Sequence, residues 1–142
     1  MYPQLNFDII PQFKIKKQLQ KKYIFDRVRK KYILLTPEEW VRQHVIEFLA
    51  EKRNYSVALM AVERGLKFNN LRKRFDLRVY NNLGEVILLV ECKAPNVVLD
   101  EETFMQSLTY AHETEPSIIM LTNGLHHIYY DNVSKLFLTY LP

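Results

Sequence analysis

The chain is short of several residues that would simplify its reading. It has one cysteine, Cys92, so no internal disulfide and no cysteine-built metal cluster is available. Its three glycines do not form a Gly-rich phosphate loop, and no Walker motif occurs. No apolar run approaches the length needed to span a membrane. There is no repeat and no low-complexity tract, and the opening "MYPQLNFDII" lacks the charged-then-apolar order of a secretory signal. Together these absences argue against a stapled secreted scaffold, a P-loop motor and a membrane protein, and they make a cytoplasmic location the expectation.

What is present suffices for a folded domain. A chain of 142 residues with 48% hydrophobic content can bury a real core, so residues 1–142 are read as one domain. Its net charge of +4 is unevenly spread. Residues 1–35 carry nine Lys and Arg against Asp8 and Asp26, or +7, and the remainder carries eleven basic and fourteen acidic residues, or −3. Such a basic arm is either a contact for a phosphate backbone or a solvated, solubilising surface.

Within that arm "FKIKK" and "KYILL" have strand character and suggest a strand or hairpin extension packed on the edge of the main body. The core begins at residue 36 and runs to about 130, and residues 131–142 supply a last strand. "TPEEWVRQHVIEFLAEKRN" predicts a helix: Thr36 is a cap, Pro37 suits the first helical position, and Glu39 is spaced for a capping box. A strand is expected from near Val57 or Ala58. "RFDLRVYNNLGEVILLVECK" predicts two strands around a turn at Asn81, Asn82 and Gly84. A second helix follows from about Asp100, then the short buried strand "SIIMLTNG", then a hairpin of "HHIYYD" and "KLFLTYL". The order of helix, three strands, helix and further strands predicts an α/β fold with a mixed central sheet flanked by helices.

The run "VILLVECKAP" poses the functional question, because five apolar residues end in Glu91, Cys92 and Lys93. Side chains alternate along a strand, so Glu91 and Lys93 share one side and Cys92 faces the other, most simply into the core. If "NNLGE" closes a hairpin, Asp76 on the preceding strand comes close to Glu91. Two carboxylates on neighbouring strands make a hard oxygen site suited to Mg²⁺ (or Mn²⁺), with the Cys92 backbone carbonyl as a further donor and Lys93 beside it to act on a water or on phosphate charge. The plainer alternative is a structural ion pair with a spare acid.

The pattern D-x(14)-E-x-K on adjacent strands, behind a helix with Glu near its start, resembles the PD-(D/E)xK nuclease superfamily. "TPEEWVRQHVIEFL", "RFDLRVY", "LLVECKAP" and "LTNGLHHIYY" resemble the N-terminal nuclease domain of type I restriction enzyme R subunits in a short stand-alone form. The resemblance runs from about Thr36 to Tyr130. It implies a restriction-endonuclease-like core, Asp76 and Glu91 as metal-binding acids, Lys93 as the catalytic lysine, and Glu39 or else Glu38 as the first-helix acid. It also implies that Gln106 and Tyr110, at i and i+4, line the site and contact DNA. Phe75 stands where the motif's proline would be. The implied function is metal-dependent hydrolysis of DNA phosphodiesters within restriction or DNA processing, with DNA, a separate motor or specificity protein and a second copy of the chain as partners. The alternative is a catalytically silent nucleic-acid-binding or assembly module. Several residues keep two readings at this stage. Glu39 is equally explained by a capping box, Arg42 either by pairing with Glu38 or Glu39 or by contact with phosphate, and Arg72, Lys73 and Arg74 either by a solvated loop or by contact with the DNA backbone.

Overall fold

A computed structural model of the chain describes residues 2–62, 67–68, 71–72, 76–108 and 115–142, with 67–68 and 71–72 as backbone only. The basic segment forms β1 (Ile15–Gln18), β2 (Lys21–Asp26) and β3 (Lys31–Leu34), a three-stranded antiparallel sheet. Leu19 and Gln20 join β1 to β2 with φ of 51° and 65°. Both central residues of such a two-residue hairpin need positive φ to match the strand twist. The sheet differs from the expected hairpin on the edge of the body: it has three strands and packs on the first helix. Ile24 and Asp26 alternate onto one face, both fully buried, and carry it there.

That helix, α1 (Pro37–Lys52), starts as its sequence dictates. The Thr36 side chain accepts the Glu39 N–H at 3.1 Å, and Pro37 has no N–H to leave unpaired. A tight turn of 3₁₀ type at Val57–Leu59 then intervenes, with Leu59 N–H bonded to the Ser56 carbonyl at 3.0 Å. It delays β4 to Met60–Val62, later than the sequence suggests. A short hairpin of β5 (Lys67–Phe68) and β6 (Leu71–Arg72) follows.

The central sheet continues with β7 (Leu77–Tyr80) and β8 (Val86–Cys92), then α2 (Glu101–Leu108), β9 (Ile118–Thr122), β10 (His127–Asp131) and β11 (Leu136–Leu138). Its six strands lie in the order β11-β10-β9-β8-β7-β4. All neighbours are antiparallel except β8 and β9, which run parallel with α2 between them in sequence. The turn from β7 to β8 is built by Asn81, whose Oδ1 accepts from Leu83 and Glu85 N–H, and by Gly84 at φ 79°. The α/β architecture with a mixed sheet is therefore present.

Alternation along β8 divides the core. Leu88, Val90 and Cys92 join Val41, Val45 and Leu49 of α1, whereas Leu89 joins Phe104 of α2 with Ile119 and Leu121. Each such fully buried aliphatic side chain stabilises the fold by about 1.5–3 kcal/mol. The segment before β1 closes the α1 side. Asn6 N–H bonds the Gly124 carbonyl at 2.7 Å, and Leu5 sits where a Cβ on Gly124 would come within 2.8 Å of it. Gly124 is also at φ 87°, so glycine is required there twice over. No helix among the described residues is long and apolar enough to cross a membrane.

Candidate active site

The ends of β7 and β8 bring the expected residues together as neighbours. Leu77 pairs with Val90, and Asp76, just before β7, donates its N–H to the Val90 carbonyl at 3.0 Å. Asp76 therefore lies across from the Glu91 end of β8. Glu91 and Lys93 share the α2 side: Lys93 Nζ is 3.2 Å from Glu91 Oε1, and Ser107 of α2 donates its hydroxyl to Glu91 Oε2. The Lys93 side chain is 34% exposed and that of Glu91 14%, so this pair sits at the solvent boundary. Cys92 faces the α1 core, where burial, reinforced by the charge of Asp76, pushes its thiol pKa well up and keeps it neutral.

Asp76 is held differently. Its Oδ2 accepts the Cys92 N–H at 2.6 Å and its Oδ1 accepts from Arg42 at 2.5 Å. Arg42 also donates to Glu39 at 2.6 Å and to Glu38 at 3.4 Å, all from one guanidinium on α1. Burial alone would lower the pKa of Arg42, but Asp76 and Glu39 more than reverse this and raise it, so it is fixed as a cation. The network continues into the N-terminal sheet. Arg29 reaches Glu39 at 2.7 Å and Asp26 at 2.5 Å, and Gln43 bridges Glu39 at 3.0 Å and Asp26 at 3.1 Å. Burial opposes ionisation of Asp26, yet hydrogen bonds from Arg29 and the Val28 N–H outweigh it and lower its pKa. Three buried carboxylates, Asp26, Glu39 and Asp76, thus face two guanidiniums, Arg29 and Arg42. Among the described residues the buried carboxylates of this network outnumber its guanidiniums by one, and the more exposed Glu38 also touches Arg42.

The family model for the type I restriction enzyme R protein N terminus matches residues 37–141. The chain belongs to that family. None of the curated proteins compared with it matches. The family match spans Glu39, Asp76, Glu91 and Lys93, and it begins after the three-stranded sheet, so Asp26 and Arg29 come to the network from outside it.

The remaining expected residues are spread around this centre. Glu39 keeps half of a capping box, its N–H on Thr36, while its carboxylate turns into the network. Gln106 is exposed on α2, one position before Ser107. Tyr110, Lys73 and Arg74 lie outside the described residues, and of Arg72 only the β6 backbone is described. Reading the sequence missed Ser107, Asp26, Arg29 and Gln43. Ser107 lay within the "QSLTY" stretch that drew attention to Gln106, and Gln43 follows Arg42, but nothing local marks Asp26 as a buried anchor. Asn123 gains a role as a strap: its Oδ1 accepts from Leu125 and His126 N–H, and its Nδ2 donates to the Val97 carbonyl at 2.8 Å, tying the loop after β8 to the turn after β9.

The donor chemistry suits a hard divalent cation held by two carboxylates. Among the described residues each carboxylate oxygen of Asp76 and Glu91 meets one protein donor, and a carboxylate oxygen has two lone pairs to offer. Mg²⁺ commonly takes one or two carboxylates and completes its shell with water and phosphate oxygens. Among the described residues no group of three or more His, Cys, Asp or Glu is arranged to hold a metal.

Proposed function

We propose that the chain is a metal-dependent nuclease domain that hydrolyses DNA phosphodiesters, built on a restriction-endonuclease-like core of PD-(D/E)xK type. The observation that carries this reading is the placement of Asp76 across from Glu91, with Lys93 two residues on, inside the stretch matched by the restriction-enzyme family. The helix–hairpin–helix–parallel-strand order around that point supports it.

Asp76 and Glu91 would hold Mg²⁺ or Mn²⁺, with the Cys92 carbonyl as an additional donor and Glu39 extending the acidic side. When bound, the cation supplies charge stabilisation at phosphorus and a more acidic water. Lys93, at the solvent boundary beside Glu91, orients the attacking water and stabilises charge on the phosphate oxygens. The water oxygen bonds to phosphorus as the bond to the leaving sugar oxygen breaks, and a proton ends on that oxygen. Ser107 fixes the carboxylate plane of Glu91, as outer-shell hydrogen bonds do for ligating acids. Gln106, Tyr110, Arg72, Lys73 and Arg74 are assigned to the DNA side of the site. Other restriction-system subunits, a motor or a specificity protein, would deliver the DNA.

One observation favours a silent binding or assembly module instead: both Asp76 oxygens already have protein donors, one of them Arg42. Cleavage separates the two readings. Plasmid and single-stranded DNA are incubated with wild type and Lys93→Ala in Mg²⁺, Mn²⁺ or EDTA. Cutting by wild type that both Lys93→Ala and EDTA abolish supports the nuclease. A folded wild type that is inert with every metal supports the silent module.

A further inference from the structure

The N-terminal sheet meets α1 through Asp26 and Arg29 on one side, and its other face presents Lys14, Lys16 and Tyr32 exposed to solvent. The register fixes which residues lie outside. Lys16 pairs with Tyr23, Phe25 pairs with Tyr32, and Phe25 N–H bonds the Lys14 carbonyl at 2.9 Å. Alternation adds Lys21 to the same face and sends Ile24 and Asp26 to the other. The outer face therefore carries three aromatic rings and three lysines, with Leu34 and Gln18 beside them. Tyr32 is 37% exposed, and Phe25 and Tyr32 meet edge to face with centroids 5.3 Å apart. Lys16 Nζ lies 4.3 Å from the Tyr32 ring centre and Lys14 Nζ 5.7 Å from that of Phe25.

The charge of this sheet is uncompensated. Its one acid, Asp26, is buried on the inner face and bound by Arg29. Arg27 is paired with Glu47 and Glu51 of α1. The seven lysines of the segment are all exposed, and among the described residues none has a carboxylate partner. Cross-strand aromatic pairing explains why Phe25 and Tyr32 stabilise the sheet. It does not explain why Tyr32 stands exposed among ammonium groups that have no carboxylate partner among the described residues.

We propose that this outer face is a docking platform for single-stranded DNA, distinct from the cleavage site, with Tyr32 and the neighbouring rings stacking unpaired bases and Lys14, Lys16 and Lys21 on the phosphates. Rings flanked by cations suit an unstacked strand, whose bases are free to stack on protein, better than a duplex, whose bases are not. The choice of DNA over RNA rests on the nuclease reading above; the stacking platform itself does not.

The test is fluorescence anisotropy of labelled oligothymidine about sixteen nucleotides long with the full chain in EDTA, so that no cleavage is read. The comparison probes are a duplex of equal length, oligouridine and polyglutamate. Wild type binds the oligothymidine most tightly. Tyr32→Leu weakens it by about five-fold or more without changing the salt dependence, as loss of one stacked base requires. Replacing Lys14, Lys16 and Lys21 together by Gln lowers the log–log salt slope by about 2, as three lost phosphate contacts on a single strand require. Lys135→Gln, on the distant turn after β10, changes neither. All five positions are exposed, and matching thermal melts confirm that the variants fold. Equal affinity for duplex with no effect of Tyr32→Leu overturns the platform, as does a preference for polyglutamate or for oligouridine. Such a failure leaves metal-dependent cutting at Lys93 untouched, and loss of cutting leaves this binding untouched.

Discussion

The two sides of the central sheet treat a carboxylate in opposite ways. On the α1 side Asp76 is 3% exposed, its two oxygens accept from Arg42 and the Cys92 N–H, and its partners extend through Glu39 to Asp26 in a separate sheet. On the α2 side Glu91 has a hydroxyl and an ammonium, and that ammonium is one-third exposed. Buried charges must be paired because desolvation is expensive, and the pairing then fixes geometry. A charge at the boundary is screened, contributes little to stability and stays available to a ligand. The α1 side thus fixes Asp76 in place, and the α2 side leaves Lys93 within reach of solvent.

The largest expected effect breaks the closed side. Arg42→Leu leaves Asp76 and Glu39 short of a counter-charge in the core and destabilises the fold by about 3–5 kcal/mol. Urea unfolding reads this as a lower midpoint at constant slope. A loss below about 1 kcal/mol would mean that the network relaxes freely into solvent and that the two sides do not differ. Next is Ser107→Ala on the open side. It removes one hydrogen bond to a carboxylate and costs about 1–2 kcal/mol in the same measurement.

A pH titration sharpens the comparison on the closed side. Burial lowers the pKa of His44, with its bond to the Trp40 carbonyl in partial opposition, and burial likewise lowers that of His127. Both folded values lie below 6.5, so the unfolded chain binds more protons as pH falls. Their contribution is complete above about pH 6.5 and is lost as pH falls below it through the folded values. His44→Phe, among Trp40, Phe7 and Phe13, should flatten the stability profile between about pH 7 and 5. An unchanged profile would remove His44 from this role. The smallest effect is that of Lys93→Ala, within about 0.5 kcal/mol because its pair is partly solvated. A large loss of stability there would make Lys93 a structural residue.

Local signals in the sequence were enough to read the open side apart from Ser107, and only the start of α1 and the place of Asp76 on the closed one. Alternation in "VILLVECK" correctly separates Glu91 and Lys93 from Cys92, and Asn81 with Gly84 marks the hairpin that brings Asp76 alongside. Thr36 and Pro37 mark the start of α1. Asp26 and Arg29 sit in a lysine-rich stretch that reads as a basic arm, and their pairing with Glu39 and Gln43 depends on how one sheet docks on α1, which no local pattern encodes. Glu39 shows the same limit. Its spacing from Thr36 predicts a reciprocal capping box, but two guanidiniums compete for its carboxylate and win it. The delayed start of β4 reflects a single turn bond from Leu59 to Ser56, too small a feature for strand propensity to reveal.

In the proposed function one acid from each side serves a single cation. Mn²⁺ binding by isothermal titration to wild type, Asp76→Asn, Glu91→Gln and the double variant tests it most directly. Wild type is expected to bind, each single change to weaken binding by about ten-fold or more, and the double variant to lose clearly less than the sum of the two, because the ligands are coupled. A folded wild type that binds no Mn²⁺, or losses that simply add, would contradict a shared site.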